Sequence, residues 1–142
     1  MSEYARTSAT LRLAVPLLEG SWRVGLEAAG GTAWGRLPLQ REWFLGGAST
    51  LRGYDASVLT GSTFARGRME LAQVRSRAAY SWVVFGDVGW AGERRDFREA
   101  EPLYCAGVGV SVMDGLIRMD LSQGLRGPDK RLRFDLYLDA LF

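Results

Sequence analysis

The sequence predicts an all-β protein: an antiparallel transmembrane β-barrel segment of about seven meandering strands, with one long loop, that forms part of a larger barrel. Apolar and polar residues alternate along nearly the whole chain, which is the period of half-buried strands. The connections between the alternating stretches are short and long in turn, and aromatic residues lie near the ends of the apolar set. These three observations are typical of outer-membrane barrels.

The first two strands are predicted over residues 10–17 and 21–29. Every second residue in them is apolar, whereas Arg12 and Glu27 lie on the other side. Successive side chains of a strand point to opposite faces, so each strand has one apolar and one charged face. The apolar positions are Leu11, Leu13, Val15 and Leu17 in the first strand and Trp22, Val24, Leu26 and Ala28 in the second.

Residues 30–62 contain no regular alternation, although short extended pieces are expected around 37–44. An irregular connection of this length inside a compact domain is either functional or disordered. We therefore expect one long loop here, between two well-patterned strands.

Alternation then resumes in five further strands, predicted over 63–72, 78–90, 104–112, 117–122 and 131–142. The short connections are 18–20, 75–77 and 113–115, and the long ones are 30–62, 91–102 and 123–130. Short turns on one rim and long loops on the other are the arrangement of outer-membrane barrels.

We expect the apolar face of the sheet to contact lipid. Most of the strands have roughly 9–12 residues, enough to cross a bilayer when tilted. About seven strands are fewer than the roughly eight of the smallest closed barrels, and hydrocarbon cannot satisfy an open sheet edge, so further strands must complete the barrel. The alternative is a soluble ligand-binding β-barrel, in which the apolar face would be the interior.

The composition is that of one ordinary domain, 1–142, and it excludes several classes of function. The chain has 142 residues, a net charge of +2, no histidine and one cysteine, Cys105. Without histidine the usual zinc sites and histidine-based acid–base chemistry are unavailable, so we expect no enzyme, no cofactor and no metal site. Because no Lys/Arg cluster is interleaved with stacking aromatics, we expect no nucleic-acid partner.

The long loop contains the motif on which the functional interpretation depends, Gly46, Gly47, Leu51, Arg52, Gly53 and Tyr54. Glycines allow the backbone to take positive φ or to approach another surface closely, and here they flank one arginine with a long reach and a fixed charge. Local chemistry alone also allows a Gly-rich hairpin turn with a solvated arginine at its tip.

Four segments in order along the chain resemble the C-terminal half of the barrel in the outer-membrane protein assembly factor superfamily, the BamA/TamA-type bacterial surface antigen barrel. They are Phe44-Leu45-Gly46-Gly47 with Leu51-Arg52-Gly53-Tyr54, then Gly67-Arg68-Met69-Glu70-Leu71, then Phe85-Gly86-Asp87-Val88-Gly89, and the aromatic-terminated last strand. The resemblance implies that 30–62 is a luminal, inward-folding loop. It also implies that Arg52 meets the luminal acidic residues Glu70 and Asp87.

The resemblance further implies a location in the outer membrane of a Gram-negative-type bacterium and a role in the assembly, insertion or translocation of proteins. The implied partners are the lipid bilayer, the missing N-terminal barrel strands and unfolded or exported polypeptides. An alternative is a passive barrel anchor fused to an N-terminal passenger such as a patatin-like lipase. No signal-peptide pattern precedes the first strand, so we expect this chain to be a C-terminal segment.

The last strand resembles the C-terminal sorting signal that outer-membrane assembly machinery reads. Apolar residues stand at every second position and an aromatic residue ends the chain; the signal residues are Phe134, Leu136, Leu138 and Phe142. The simpler interpretation is a closing strand whose terminal aromatic residue lies in an interfacial girdle.

Overall fold

The computed structural model describes residues 3–47, 50–74, 80–113, 116–127 and 130–138, and they form an all-β fold. The long strands are β1 (Tyr4–Leu17), β2 (Trp22–Gly35), β5 (Thr63–Gln73), β6 (Tyr80–Gly92), β7 (Leu103–Val112), β8 (Ile117–Gly124) and β9 (Leu132–Leu138), and the short ones are β3 (Trp43–Leu45) and β4 (Leu59–Gly61). Single 3₁₀ turns occur at Leu18–Gly20, Leu39–Arg41 and Phe97–Glu99. No α-helix occurs among the described residues.

The seven long strands form one antiparallel sheet in the order β1-β2-β5-β6-β7-β8-β9. The predicted all-β class and the antiparallel seven-strand meander are therefore confirmed. The sheet is not closed into a barrel, since within the described part of the chain β1 and β9 each pair with one neighbour only. Strands β3 and β4 form a separate two-stranded sheet inside the long loop.

The strand register places all the apolar alternating sets on one face of the sheet, which we call the apolar face. Across it, Leu13 pairs with Leu26, Leu26 with Met69, and further along Val84 pairs with Val108. These side chains are not covered: Leu13 is 55% exposed, Val84 53% and Phe134 64%. The fold thus presents an extended hydrocarbon surface outward.

The opposite face, the polar face, carries the charged residues; it is buried over β6 to β8, half-buried on β9 and exposed on β1. Arg118, Asp120 and Asp87 lie on it and are buried, as are Val83 and Phe85 between them. The distribution is the reverse of that in a soluble sandwich, where the apolar face is the buried one.

The predicted start of the loop at Gly30 is wrong, because β2 continues to Gly35 and the irregular segment runs over 36–62. Strand β1 likewise begins at Tyr4, six residues earlier than predicted. The two extensions pair with each other, Tyr4 with Gly35 and Ala9 with Gly30. Apart from Tyr4 and Trp34, both segments consist of small and polar side chains, which hide the period-two signal while backbone pairing continues without it.

Three predicted features fall wholly or partly outside the described residues: the turns at 75–77 and at Asp114-Gly115, and the terminal Phe142. Strand β6 is described from Tyr80, two residues after its predicted start.

None of the described residues belongs to a helix with the length and apolar character needed to cross a membrane.

Candidate functional site

The long loop folds onto the polar face of the sheet and is anchored there by two small hydrophobic clusters. In one, Leu45 packs with Ala29, Phe64 and Ala91 of β2, β5 and β6. In the other, Leu51 and Tyr54 pack with Cys105 of β7. The loop therefore spans four of the seven long strands, and Cys105 serves as a small packing residue beneath it.

The motif within the loop is closed on itself. The amide of Gly47 donates to the carbonyl of Tyr54 (3.1 Å), and that of Leu51 donates to the carbonyl of Gly47 (3.1 Å). The amide of Gly46 donates to the Thr50 hydroxyl (2.8 Å). Gly53 has φ +83°, and a Cβ there would lie 3.0 Å from the Cys105 Cβ, so only glycine allows the turn to approach β7 this closely.

Arg52 is the centre of the site, and its side chain is 2% exposed. Its Nε and its backbone amide donate to Asp87 Oδ2 (2.8 and 3.0 Å), and its Nη2 donates to Asp87 Oδ1 (2.6 Å). Its Nη1 donates to Glu70 Oε1 at 2.5 Å. A bidentate guanidinium–carboxylate pair of this kind fixes both position and orientation. The structure thus brings Arg52 together with Glu70 and Asp87.

The aromatic ring of Phe85 supports the guanidinium group of Arg52 from below, with its centroid 3.7 Å from the guanidinium carbon. Burial alone would lower the pKa of Arg52, but the hydrogen bonds and charges of Asp87 and Glu70 outweigh it and raise that pKa. The group is consequently a permanent buried cation held by fixed anions.

A second set of residues, which the sequence did not single out, surrounds this pair. Arg118 of β8 bonds both Glu70 (3.1 Å) and Asp120 (2.8 Å). Asp120 is 1% exposed, lies 4.0 Å from Arg52 and accepts a hydrogen bond from the Tyr137 hydroxyl of β9 at 2.5 Å. In the sequence Arg118 and Asp120 alternate with the apolar residues of β8, and Tyr137 alternates with those of β9. The alternation therefore assigns Arg118, Asp120 and Tyr137 to the charged face, but it does not predict which charged side chains contact each other.

Tyr54 anchors the other end of the motif. Its hydroxyl lies 2.8 Å from the carbonyl of Tyr104 and 2.7 Å from that of Arg126, and it accepts a hydrogen bond from the Arg126 amide (3.2 Å). Burial raises the pKa of this phenol. Gly124 makes room for the ring, since a Cβ there would lie 2.8 Å from it.

The remaining predicted site residues lie elsewhere. Phe134, Leu136 and Leu138 stand on the exposed apolar face of β9, away from the ion pairs, and Phe142 lies outside the described residues. Among the residues that the structure describes, no group of three or more His, Cys, Asp or Glu side chains is arranged to hold a metal ion. What the arrangement can do is hold a loop in place electrostatically.

The fold and the site define a class: an open antiparallel sheet, apolar outside, whose polar face carries an arginine-pinned loop. No protein-family model matches the chain, and a search of curated proteins finds no significant similarity.

Replacing Arg52 by Ala should destabilise the fold more than any exposed arginine change does. Asp87, whose side chain is fully buried, would lose its bidentate partner and keep Arg68, whose Nε lies 3.3 Å from Oδ1. Removing one partner of a buried pair costs about 3–5 kcal/mol, so we expect a loss at the lower end of that range. Chemical unfolding followed by tryptophan fluorescence measures the free energy of unfolding. Arg12→Ala is the matched control, because the Arg12 side chain is 74% exposed and its pair is worth at most about 1 kcal/mol. Equal losses in both variants would contradict the central role of Arg52.

Proposed function

We propose that this chain is the C-terminal half of an outer-membrane β-barrel, in a Gram-negative-type bacterium, that assembles, inserts or translocates other proteins. It works without a cofactor and is not an enzyme. The observation that carries the proposal is the pairing of an exposed apolar face with a polar face on which Arg52 pins an inward-folded loop.

The apolar face supports a lipid environment. It extends over all seven long strands, from Leu13 in β1 to Phe134 in β9. Soluble monomers rarely expose continuous apolar patches of more than a few hundred Å². Hydrocarbon is the surrounding that makes such a surface stable, and alternation with a polar interior is how a barrel strand meets it.

The two sheet edges support completion by further strands. Strand β1 has 14 residues whose outer backbone groups have no partner among the described residues, and β9 is the other edge. An unpaired edge cannot persist in hydrocarbon, where each unsatisfied group costs several kcal/mol. The partner strands are those of the barrel's N-terminal half.

The loop supports the assembly role, which rests on the resemblance. Arg52 ties the loop to β5 and β6, while Tyr54 ties it to the backbone at β7 and beyond. A loop held in this way gives the barrel interior a fixed shape, and polypeptide substrates would contact that interior. A passive anchor would need the same apolar face but not a functioning loop.

In lipid, a charge introduced on the apolar face should lower the free energy of unfolding much more than a charge introduced on the polar face. Leu11→Arg and Thr10→Arg change neighbouring residues of exposed β1 that lie on opposite faces of the sheet. In lipid vesicles Leu11→Arg should lose about 2–4 kcal/mol of unfolding free energy, and Thr10→Arg less than about 1 kcal/mol. The measurement is urea unfolding, in vesicles, of the complete barrel that contains this chain. Equal losses at the two positions would contradict a lipid-facing surface.

The assembly role is tested in proteoliposomes that contain the complete barrel, in which this chain is joined to the N-terminal strands that the proposal requires, and that receive an unfolded β-barrel substrate. Wild type should speed the acquisition of protease resistance by the substrate, and Arg52→Glu should abolish this gain because two carboxylates would repel the new charge. Arg98→Glu, in the exposed turn Phe97–Glu99, is the control and should match wild type. If wild type inserts into vesicles but never accelerates its substrate, the passive anchor replaces the assembly role.

A further inference from the structure

A polar cavity of about 570 Å³ lies on the polar face beside the Arg52 site. We call it the arginine vestibule, and its charged lining consists of Arg12, Arg23, Arg52, Arg68, Arg118, Glu27 and Glu70. Its lining comes from β1, β2, β5, β8 and β9, so the two ends of the sheet face each other across it. Small residues leave this space open, since Ala14, Gly25 and Ala72 also line it.

The vestibule occupies one end of the interior. Its lining positions lie in the halves of the strands nearest the short connections, such as Leu18–Gly20. In outer-membrane barrels the short turns face the periplasm. The proposed function therefore makes the vestibule a charged surface near the periplasmic rim, where an arriving polypeptide would meet it.

The charge of the vestibule is unbalanced. The connected ion pairs at and around it join Arg12 and Arg66 to Glu27, Arg68 and Arg52 to Asp87, and Arg118 to Glu70 and Asp120. With Arg23 included, six arginines stand against four carboxylates, an excess of two positive charges. A cavity whose charges have an excess of one sign concentrates ligands of the opposite sign.

Arg23 is the group most available to a ligand. It is exposed, lines the vestibule and has no ion-pair partner among the described residues. Arg12 is also exposed but shares Glu27 with Arg66, at 2.5 and 2.6 Å. Glu27 thus competes with any external anion for two of the arginines. The guanidinium group binds carboxylates through paired, directional hydrogen bonds.

We propose that the arginine vestibule is a binding site for carboxylate side chains, and that it takes an acidic segment of a polypeptide substrate. The inference rests on the proposed function for its orientation and for the identity of the ligand as a polypeptide. The binding itself does not rest on the proposed function: it depends on the charges of the vestibule, above all on Arg23, Arg12 and Glu27.

The test measures binding of a fluorescein-labelled decaglutamate peptide to the full chain in zwitterionic detergent, by fluorescence anisotropy. Wild type should bind it, fluorescein-labelled decalysine measured separately should not bind, and decaglutamate binding should weaken as salt rises from about 0.05 to about 0.5 M. Arg23→Glu should weaken binding about five- to tenfold, because an attractive contact becomes repulsive. Arg98→Glu makes the same charge change on an exposed turn and should leave binding unchanged.

Glu27→Gln provides a second variant that a folding defect cannot mimic. It removes the carboxylate that occupies Arg12 and Arg66, so decaglutamate should bind several-fold more tightly than to wild type. The proposal is overturned if wild type does not bind, if Arg98→Glu weakens binding as much as Arg23→Glu, or if Glu27→Gln weakens it. If the protein binds decaglutamate but does not accelerate substrate assembly in proteoliposomes, the vestibule is supported as a binding site and the assembly role is contradicted.

Discussion

The bidentate pair between Arg52 and Asp87 is the interaction on which the rest of the structure depends. Asp87 lies at the middle of the central strands and is fully buried, so it requires a cation, and the loop delivers one. Glu70, Arg118, Asp120 and Tyr137 extend the pair into a network that reaches from β5 to β9. Ion pairs therefore order the polar face, where packed apolar side chains order the core of most domains.

The apolar face and the ion-pair network stabilise different parts of the structure. Alternating side chains give every long strand one apolar and one polar surface, and the register keeps the two sets apart across the whole sheet. The loop then fills part of the interior and supplies most of the aliphatic and aromatic contacts there, through Leu45, Leu51 and Tyr54. Ion pairs fix the position of the loop on the sheet, and apolar contacts pack it against the strands.

Most of the sheet could be predicted because period-two alternation is a direct consequence of strand geometry. The prediction failed over Gly30–Gly35, where glycine, threonine and alanine carry no alternating signal and pairing with Tyr4–Ala9 decides the structure. The contact of Arg52 with Glu70 and Asp87 was suggested by a resemblance, not by spacing. Asp120 and Tyr137 were missed because parity assigns a face, whereas the curvature that brings β8 and β9 toward the loop is set by the whole sheet.

The internal closure of the Gly47–Tyr54 turn has a consequence for the order of events during folding. Its hydrogen bonds, from Gly47 to Tyr54 and from Leu51 to Gly47, are local in sequence, whereas Arg52 and Asp87 stand 35 residues apart. Local turns form in microseconds or less, well before distant strands pair. Much of the conformational entropy of the turn is thus lost before the loop docks. Arg52 then binds the sheet as part of a turn that has already formed. Because Glu70 lies on β5 and Asp87 on β6, the arginine can meet both carboxylates together only once these two strands have paired.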